Sequence, residues 1–267
     1  MTKEEEDEEI TRFGVAVIES LRDNEYRTGS LLYHDVLKPQ CLADDSFFTD
    51  YYSVKTCNEF ADAINVIVSK MQPDEMLALH VETHGSDKGI VLSSGEVLKW
   101  DLFMSLCREI NIKENGLLVV TTALCQSFSF LSCVDPFKRS PFLAIVITKR
   151  NVSAEELLRG YSEYYSRYKT INDVEAARDA LQREVNNGSE DSSPFEVLTQ
   201  YWIFDRVTKP DTDPELFSYL VNTRFCQLKS EDPSYTLERT EQEIMQYFGA
   251  IAKNERDHFL FADYWEN

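Results

Sequence analysis

Two residues in this chain are of types that could perform covalent chemistry together. The segment LALHVETHG ends at His84-Gly85, and LLVVTTALCQS carries Cys125. A thiolate is a strong nucleophile, but an ordinary cysteine is mostly thiol near neutral pH. A neighbouring imidazole or positive dipole must therefore raise the thiolate fraction. Attack on an amide also creates an oxyanion, which needs fixed N–H donors. Gly85 has no side chain to block approach and offers its backbone N–H, and the N–H of Cys125 is the natural second donor. Alone, a histidine or cysteine at a strand end is more often structural than catalytic. The pair, with Gly85 adjacent, points to a nucleophilic thiol and its base.

These residues must be positioned by the elements around them. Both apolar segments read as buried strands of a mostly parallel sheet, whose chemistry collects beyond the carboxyl ends. FGVAVIES, FFTDYYSV and FLAIVIT read as further strands. RTGSLLYHDVLK suggests a turn and a short helix. TCNEFADAINVIVSKM predicts a helix with Thr56 and Glu59 as a capping box and Phe60, Ile64, Ile67, Val68 and Met71 on one face. GIVLSSGEVL predicts a hairpin around Ser94-Gly95. KWDLFMSLCREINI predicts a helix with Leu102, Leu106 and Ile110 in register, ended by Asn115-Gly116. Residues 126–141 read as a polar, proline-containing loop. SAEELLRGYSEYYSRY predicts a helix capped by Ser153 and Glu156, with Tyr161, Tyr165 and Tyr168 on its packing side, and NDVEAARDALQREVN predicts another. The alternation of strands and helices argues for α/β architecture.

NNGSEDSSP, at residues 186–194, is the best linker candidate. The composition beyond it predicts helices with no evident strand, two of them starting at Asp213-Pro214 and at Thr240 with Glu243. The expected organisation is an acidic tail over 1–10, an α/β domain over 11–188 and a helical, aromatic-rich extension over 189–267. The net charge of −20 opposes nucleic-acid and anionic-membrane partners and favours basic ones. No apolar run has the length of a membrane span, and MTKEEEDEE has no signal-peptide core, so a cytoplasmic protein is expected. Six cysteines without paired spacing are expected to be reduced thiols. Most would be small buried hydrophobes, Cys133 a loop thiol.

His80 and His84 form an HxxxH pair, which would suit zinc on a helix. Here the pair falls on a predicted strand, so neither a metal nor another cofactor is expected. On that strand residues 80, 82 and 84 would share a face, leaving His80 and Glu82 either supporting the site or simply packing. Glu82 or Asp87 could orient His84; His34 and His258 read as structural.

A strand ending in His-Gly, a hairpin, a helix, and a strand ending in a small residue and Cys resemble the caspase-like cysteine peptidases. The stretches HGSDKGIVLSSGEVLKWDLFMSL and LLVVTTALCQS are most similar to prokaryotic and CHAT-type members. The clear likeness covers residues 76–150 and a looser one 13–185. The resemblance implies a caspase-like fold, His84 as general base, Cys125 as nucleophile, and Gly85 with Cys125 as oxyanion donors. It also implies a cysteine endopeptidase acting on proteins, regulated, in a defence or cell-death setting. An activating or inhibitory partner would dock on the carboxyl-terminal helices. Leu124-Cys125-Gln126-Ser127 lacks the alanine before the cysteine and the glycine after it that caspases carry, which leaves the substrate open. Lys149 and Arg150, at the start of the expected cleft loop, would favour an acidic substrate residue; Glu82, Asp135 and Glu163 would favour a basic one. The alternatives are an inactive peptidase-like scaffold that binds a protein partner and a flavodoxin-like ligand domain. The latter expects a phosphate loop after the first strand, where SLRDNEYRTG offers only Gly29.

Overall fold

Strands that are apolar on both faces need a layer of structure on each side. In the computed structural model, which describes residues 12–72, 75–124, 127–148, 152–167, 179, 195–208, 214–249 and 253–265, that requirement is met by a three-layer α/β arrangement. β1 (Arg12–Glu19) buries Val15 and Val17 on one face and Ala16 and Ile18 on the other. β3 (Glu75–Glu82), β7 (Val119–Ala123) and β8 (Ala144–Thr148) are buried along their whole length. With β2 (Phe47–Ser53) these strands run parallel. β9 (Phe195–Thr199) pairs antiparallel with β8, giving the order β2-β1-β3-β7-β8-β9.

One face of the sheet is covered by α1 (Thr28–Leu32), a π-helical turn (Tyr33–Leu37) and α5 (Ala154–Arg167). Leu32, Leu37, Tyr161, Tyr164 and Tyr165 pack there on Val15, Val17, Ala78 and Val146. α2 (Lys38–Ala43) continues from the π turn without burying a side chain fully. The opposite face is covered by α3 (Cys57–Lys70), α4 (Trp100–Lys113) and α6 (Gln200–Thr208). Local sequence explains where several of these helices begin and end. Thr56 Oγ1 accepts the Glu59 N–H at 3.2 Å, while the Glu59 carboxylate reaches back to the N–H of Lys55 rather than of Thr56. At α5 the box is reciprocal: Ser153 Oγ accepts the Glu156 N–H, and Glu156 Oε2 accepts the Ser153 N–H at 2.9 Å. α4 stops where Asn115 and Gly116 turn to φ +56° and +92° and the Gly116 N–H returns to the Asn111 carbonyl.

Beyond β3, a second sheet of three short antiparallel strands, β4 (His84–Ser86), β5 (Gly89–Val91) and β6 (Val97–Lys99), stands apart from the main one. Its β5–β6 hairpin is the one expected around Ser94-Gly95; the β4 strand was not expected.

The structure corrects four expectations. Phe195–Thr199, on the carboxyl side of the expected boundary at 188/189, is a sheet strand and not helical extension. Ile203, Phe204 and Val207 of α6 and Phe259 at the end of α9 (Lys253–Phe259) fill the same core as α3 and α4. Residues 127–133 of the expected polar loop form a 3-10 helix (Ser127–Cys133) that buries Phe130 and Leu131. On α4 the buried face runs through Phe103, Leu106, Cys107 and Ile110, and Leu102 is exposed because it lies on the side turned from the sheet. The helix expected to start at Thr240 begins a turn earlier: α8 (Leu237–Gly249) is capped by Thr236, whose Oγ1 accepts the Arg239 N–H. α7 (Pro214–Glu231) does start at its proline. The acidic tail, the helix expected over 172–186 and the linker over 186–194 lie outside the described residues, Asp179 alone excepted.

The chain's end returns to the core. Arg139 donates to the His258 carbonyl and to both carboxylate oxygens of Asp263, on α10 (Ala262–Trp265), and lies over the Phe261 ring. The Ser140 N–H donates to the Phe259 carbonyl at 3.0 Å. No helix among the described residues is long and apolar enough to cross a membrane.

Candidate functional site

A cleft of about 420 Å³ opens at the carboxyl ends of the central strands. Leu21 follows β1, Glu82 closes β3 with Thr83 and His84 after it, Ala123 closes β7 with Leu124 after it, and Thr148 ends β8; Glu25, Tyr26, Thr28, Val152, Ala154 and Leu157 form the walls. This is where a doubly covered parallel sheet leaves its crevice. β3 and β7 are direct parallel neighbours, with Glu82 opposite Ala123. The strand that leads into His84 and the strand that leads into Cys125 therefore end side by side. Leu124, the residue before Cys125, lines the same cleft as His84. Cys125 itself and Gln126 lie outside the described residues, as do Lys149 and Arg150.

His84 does not share the face of His80 and Glu82, as a continuous strand would require. The chain bends at Thr83, whose Oγ1 donates to the carbonyls of Val91 (2.8 Å) and Ser20 (3.2 Å), and His84 opens β4 of the small sheet. Trp100 Nε1 donates to the Ser86 carbonyl at 3.2 Å, fastening β4 to the start of α4. Gly85 follows on β4 opposite Ile90, half-buried and outside the lining of the cleft.

The residue that holds the His84 ring is neither Glu82 nor Asp87 but Glu25. Its Oε1 lies 2.8 Å from His84 Nε2. Glu25 is itself fixed by a turn: its Oε2 accepts the Arg22 N–H at 2.6 Å, and its own N–H donates to the Arg22 carbonyl at 3.0 Å. Partial desolvation works to raise the Glu25 carboxyl, but the Arg22 N–H and the His84 imidazole outweigh it and hold the group below the usual carboxylate range. Sequence reasoning missed Glu25 because it sits in a loop 59 residues before its partner.

Beneath the cleft, Glu82 is buried with each oxygen engaged. Oε2 lies 3.1 Å from His80 Nε2, and Oε1 accepts the Thr28 hydroxyl. A carboxylate can only accept there, so His80 carries its proton on Nε2 and presents Nδ1 to the Thr121 hydroxyl at 2.8 Å. Tyr165 Oη lies 2.5 Å from Thr121 Oγ1, and the His80 ring sits edge-on to Tyr161 and Tyr165. Burial pushes both phenols up, so they act as neutral hydrogen-bonding groups. Beside Glu82 on β1, Glu19 is also buried; Arg27, Tyr51 and the Ser30 N–H satisfy it. His80 and Glu82 thus support the floor of the cleft. His80 and His84 share no partner, and no cluster of three or more His, Cys, Asp or Glu side chains among the described residues is arranged to hold a metal.

The other candidates fall elsewhere. Asp135 is half-buried outside the cleft lining and pairs with Lys138 at 3.2 Å. Glu163, on α5, pairs with Arg167. Cys107 is buried in the α4 core, which pushes its thiol up and makes it inert; Cys226 is exposed on α7. Desolvation and then the Glu96 carboxylate push the Cys57 thiol up. In the 3-10 helix, Phe130 meets the Trp100 and Phe142 rings edge-on at 6.3 and 5.9 Å.

Comparison with protein-family models gives no match, and comparison with curated proteins gives none either.

Proposed function

We propose that the chain is a cysteine peptidase with a caspase-like fold, cleaving protein substrates through His84 and Cys125. The observation that carries this reading is the convergence of His84 and Leu124 on one cleft at the carboxyl ends of adjacent parallel strands. The order of the parts, His-Gly, hairpin, helix, then a strand running into Cys, agrees with the resemblance seen in the sequence.

In this mechanism the Cys125 thiol gives its proton to His84, and the thiolate attacks the substrate carbonyl carbon. The oxyanion that forms is met by the Cys125 N–H, with the Gly85 N–H as the second donor. Collapse breaks the C–N bond, and the imidazolium returns its proton to the departing amine. Water then attacks the thioester, giving its proton to His84, and the acid leaves as the thiolate is restored. The chemistry uses no cofactor. The setting we propose is a regulated protease in the cytoplasm, with the carboxyl-terminal helices as the surface for a controlling partner.

The test is the pH dependence of Cys125 alkylation by iodoacetamide, read by peptide mass spectrometry, in wild type and His84→Ala. Reactivity well below the ordinary thiol range, lost without His84, is the expected result. Cys125→Ala should abolish peptide cleavage while leaving the fold intact; retained turnover in that variant ends the proposal.

A further inference from the structure

We infer that Glu25 is the positioning residue for the reaction, fixing the His84 ring so that Nδ1 is the nitrogen that exchanges protons with the thiol. This rests on the peptidase reading. A carboxylate can only accept, so the 2.8 Å contact places the imidazole proton on Nε2 and leaves the lone pair on Nδ1. Among the described residues Nδ1 has no protein partner. Glu25 is suited to this task because it cannot drift: one oxygen is tied to the Arg22 backbone and the other points at the ring. His84 is 56% exposed and Glu25 27%, so packing alone does not hold the ring, and the hydrogen bond sets its orientation.

The charges around the pair fit the same role. The ionisable acid and imidazole side chains lining the cleft are Glu25, Glu82 and His84, and Arg22 stands beside Glu25 in the turn. Glu82 is occupied by His80 and Thr28. When Cys125 transfers its proton to Nδ1, one positive charge appears on the ring, and Glu25 is the carboxylate in contact with it. The proton on Nε2 stays there, and none passes to Glu25.

Two measurements test the inference. In wild type, ¹⁵N NMR of labelled histidine should find neutral His84 protonated on Nε2; finding the proton on Nδ1 overturns the inference without any variant. In Glu25→Gln, which keeps the shape and removes the charge, Cys125 alkylation at about pH 6.5 should slow about two- to fivefold, the range for a pair this exposed. Its pH profile should move upward while the melting temperature holds. If His84→Ala erases the low-pH reactivity but Glu25→Gln and Glu25→Ala retain the wild-type profile, Glu25 merely ties a loop and the dyad stands without it. If wild-type Cys125 has no low-pH reactivity, the peptidase reading fails and takes this role with it.

Discussion

The carboxyl group of Glu114, at the end of α4, is buried with neither oxygen in a hydrogen bond. Burial pushes its pKa well above the ordinary value of 4.5, and the Glu75 carboxylate pushes the same way. The Leu77 backbone amide works against burial and counts for more than Glu75 does, but burial outweighs it. A raised carboxyl binds more protons folded than unfolded. Its effect on stability is therefore nil below the ordinary value and grows steadily worse as pH rises towards the folded value. The slope is at most about 1.4 kcal/mol per pH unit, so by pH 7 the ceiling is about 3 kcal/mol. Glu114→Gln keeps the volume and cannot ionise. Urea unfolding of both proteins between about pH 4.5 and 8 reports on Glu114 and its coupling to Glu75, because titrations not coupled to them cancel in the difference. The two should be equal within about 1 kcal/mol at the acid end, with the variant gaining as pH rises. A difference that stays flat, or that turns against the variant at high pH, would mean that Glu114 is ionised and paired in the fold, and the reasoning would be wrong.

Three further outcomes follow from the fold. In Gly89→Ala the added methyl would sit 2.1 Å from the Leu98 carbonyl oxygen, so β5 and β6 must part; Cys125 reactivity should fall because β4, which carries His84, pairs with that same residue. Phe130→Ala should cost about 3–5 kcal/mol in denaturant unfolding, by opening a hole under the segment that follows Cys125. The Arg139 guanidinium, bonded to Asp263, holds that carboxyl low against a small desolvation cost. Its contribution is present above the ordinary value of 3.8 and is lost as pH falls through the folded one. Asp263→Asn should cost less than about 1 kcal/mol at neutral pH, since the pair is partly in solvent, and nothing in acid; thermal melts at both pH values decide it.

Much of the architecture was legible because burial on both faces leaves few readings for a run such as VAVI or LAIVI, and because the Ser153–Glu156 box marks a helix start locally. β9 was not legible: FEVLT is short, carries Glu196 as its second residue, and is made a strand only by β8 beside it. The three-residue β4 is likewise set by its partner β5 and by the bonds of Thr83. Leu102 misled because it keeps a four-residue interval with Leu106 and Ile110 while falling just outside their buried stripe. Thr240 misled because Thr236, one turn earlier, offers the same capping chemistry. At the cleft, the adjacency of the strands leading to His84 and Cys125 followed from where the apolar runs end. The period placed His84 on the face of His80 and Glu82, which the bend at Thr83 prevents. Glu25 was not legible, because nothing local distinguishes a glutamate free in a turn from one that holds a histidine ring 59 residues away.

The antiparallel closing strand also governs how the molecule can come off the ribosome. β8 is complete at Thr148, but its outer neighbour begins at Phe195. At ordinary elongation rates the residues between take roughly 2–10 s to synthesise. For that interval an apolar strand with unpaired backbone groups stands at the rim of a sheet that is otherwise ready to assemble, the condition under which nascent chains pair with one another. Nascent copies on one message are therefore exposed to mispairing until residues 195–199 arrive, and a product ended at 188 would keep that open rim for its lifetime.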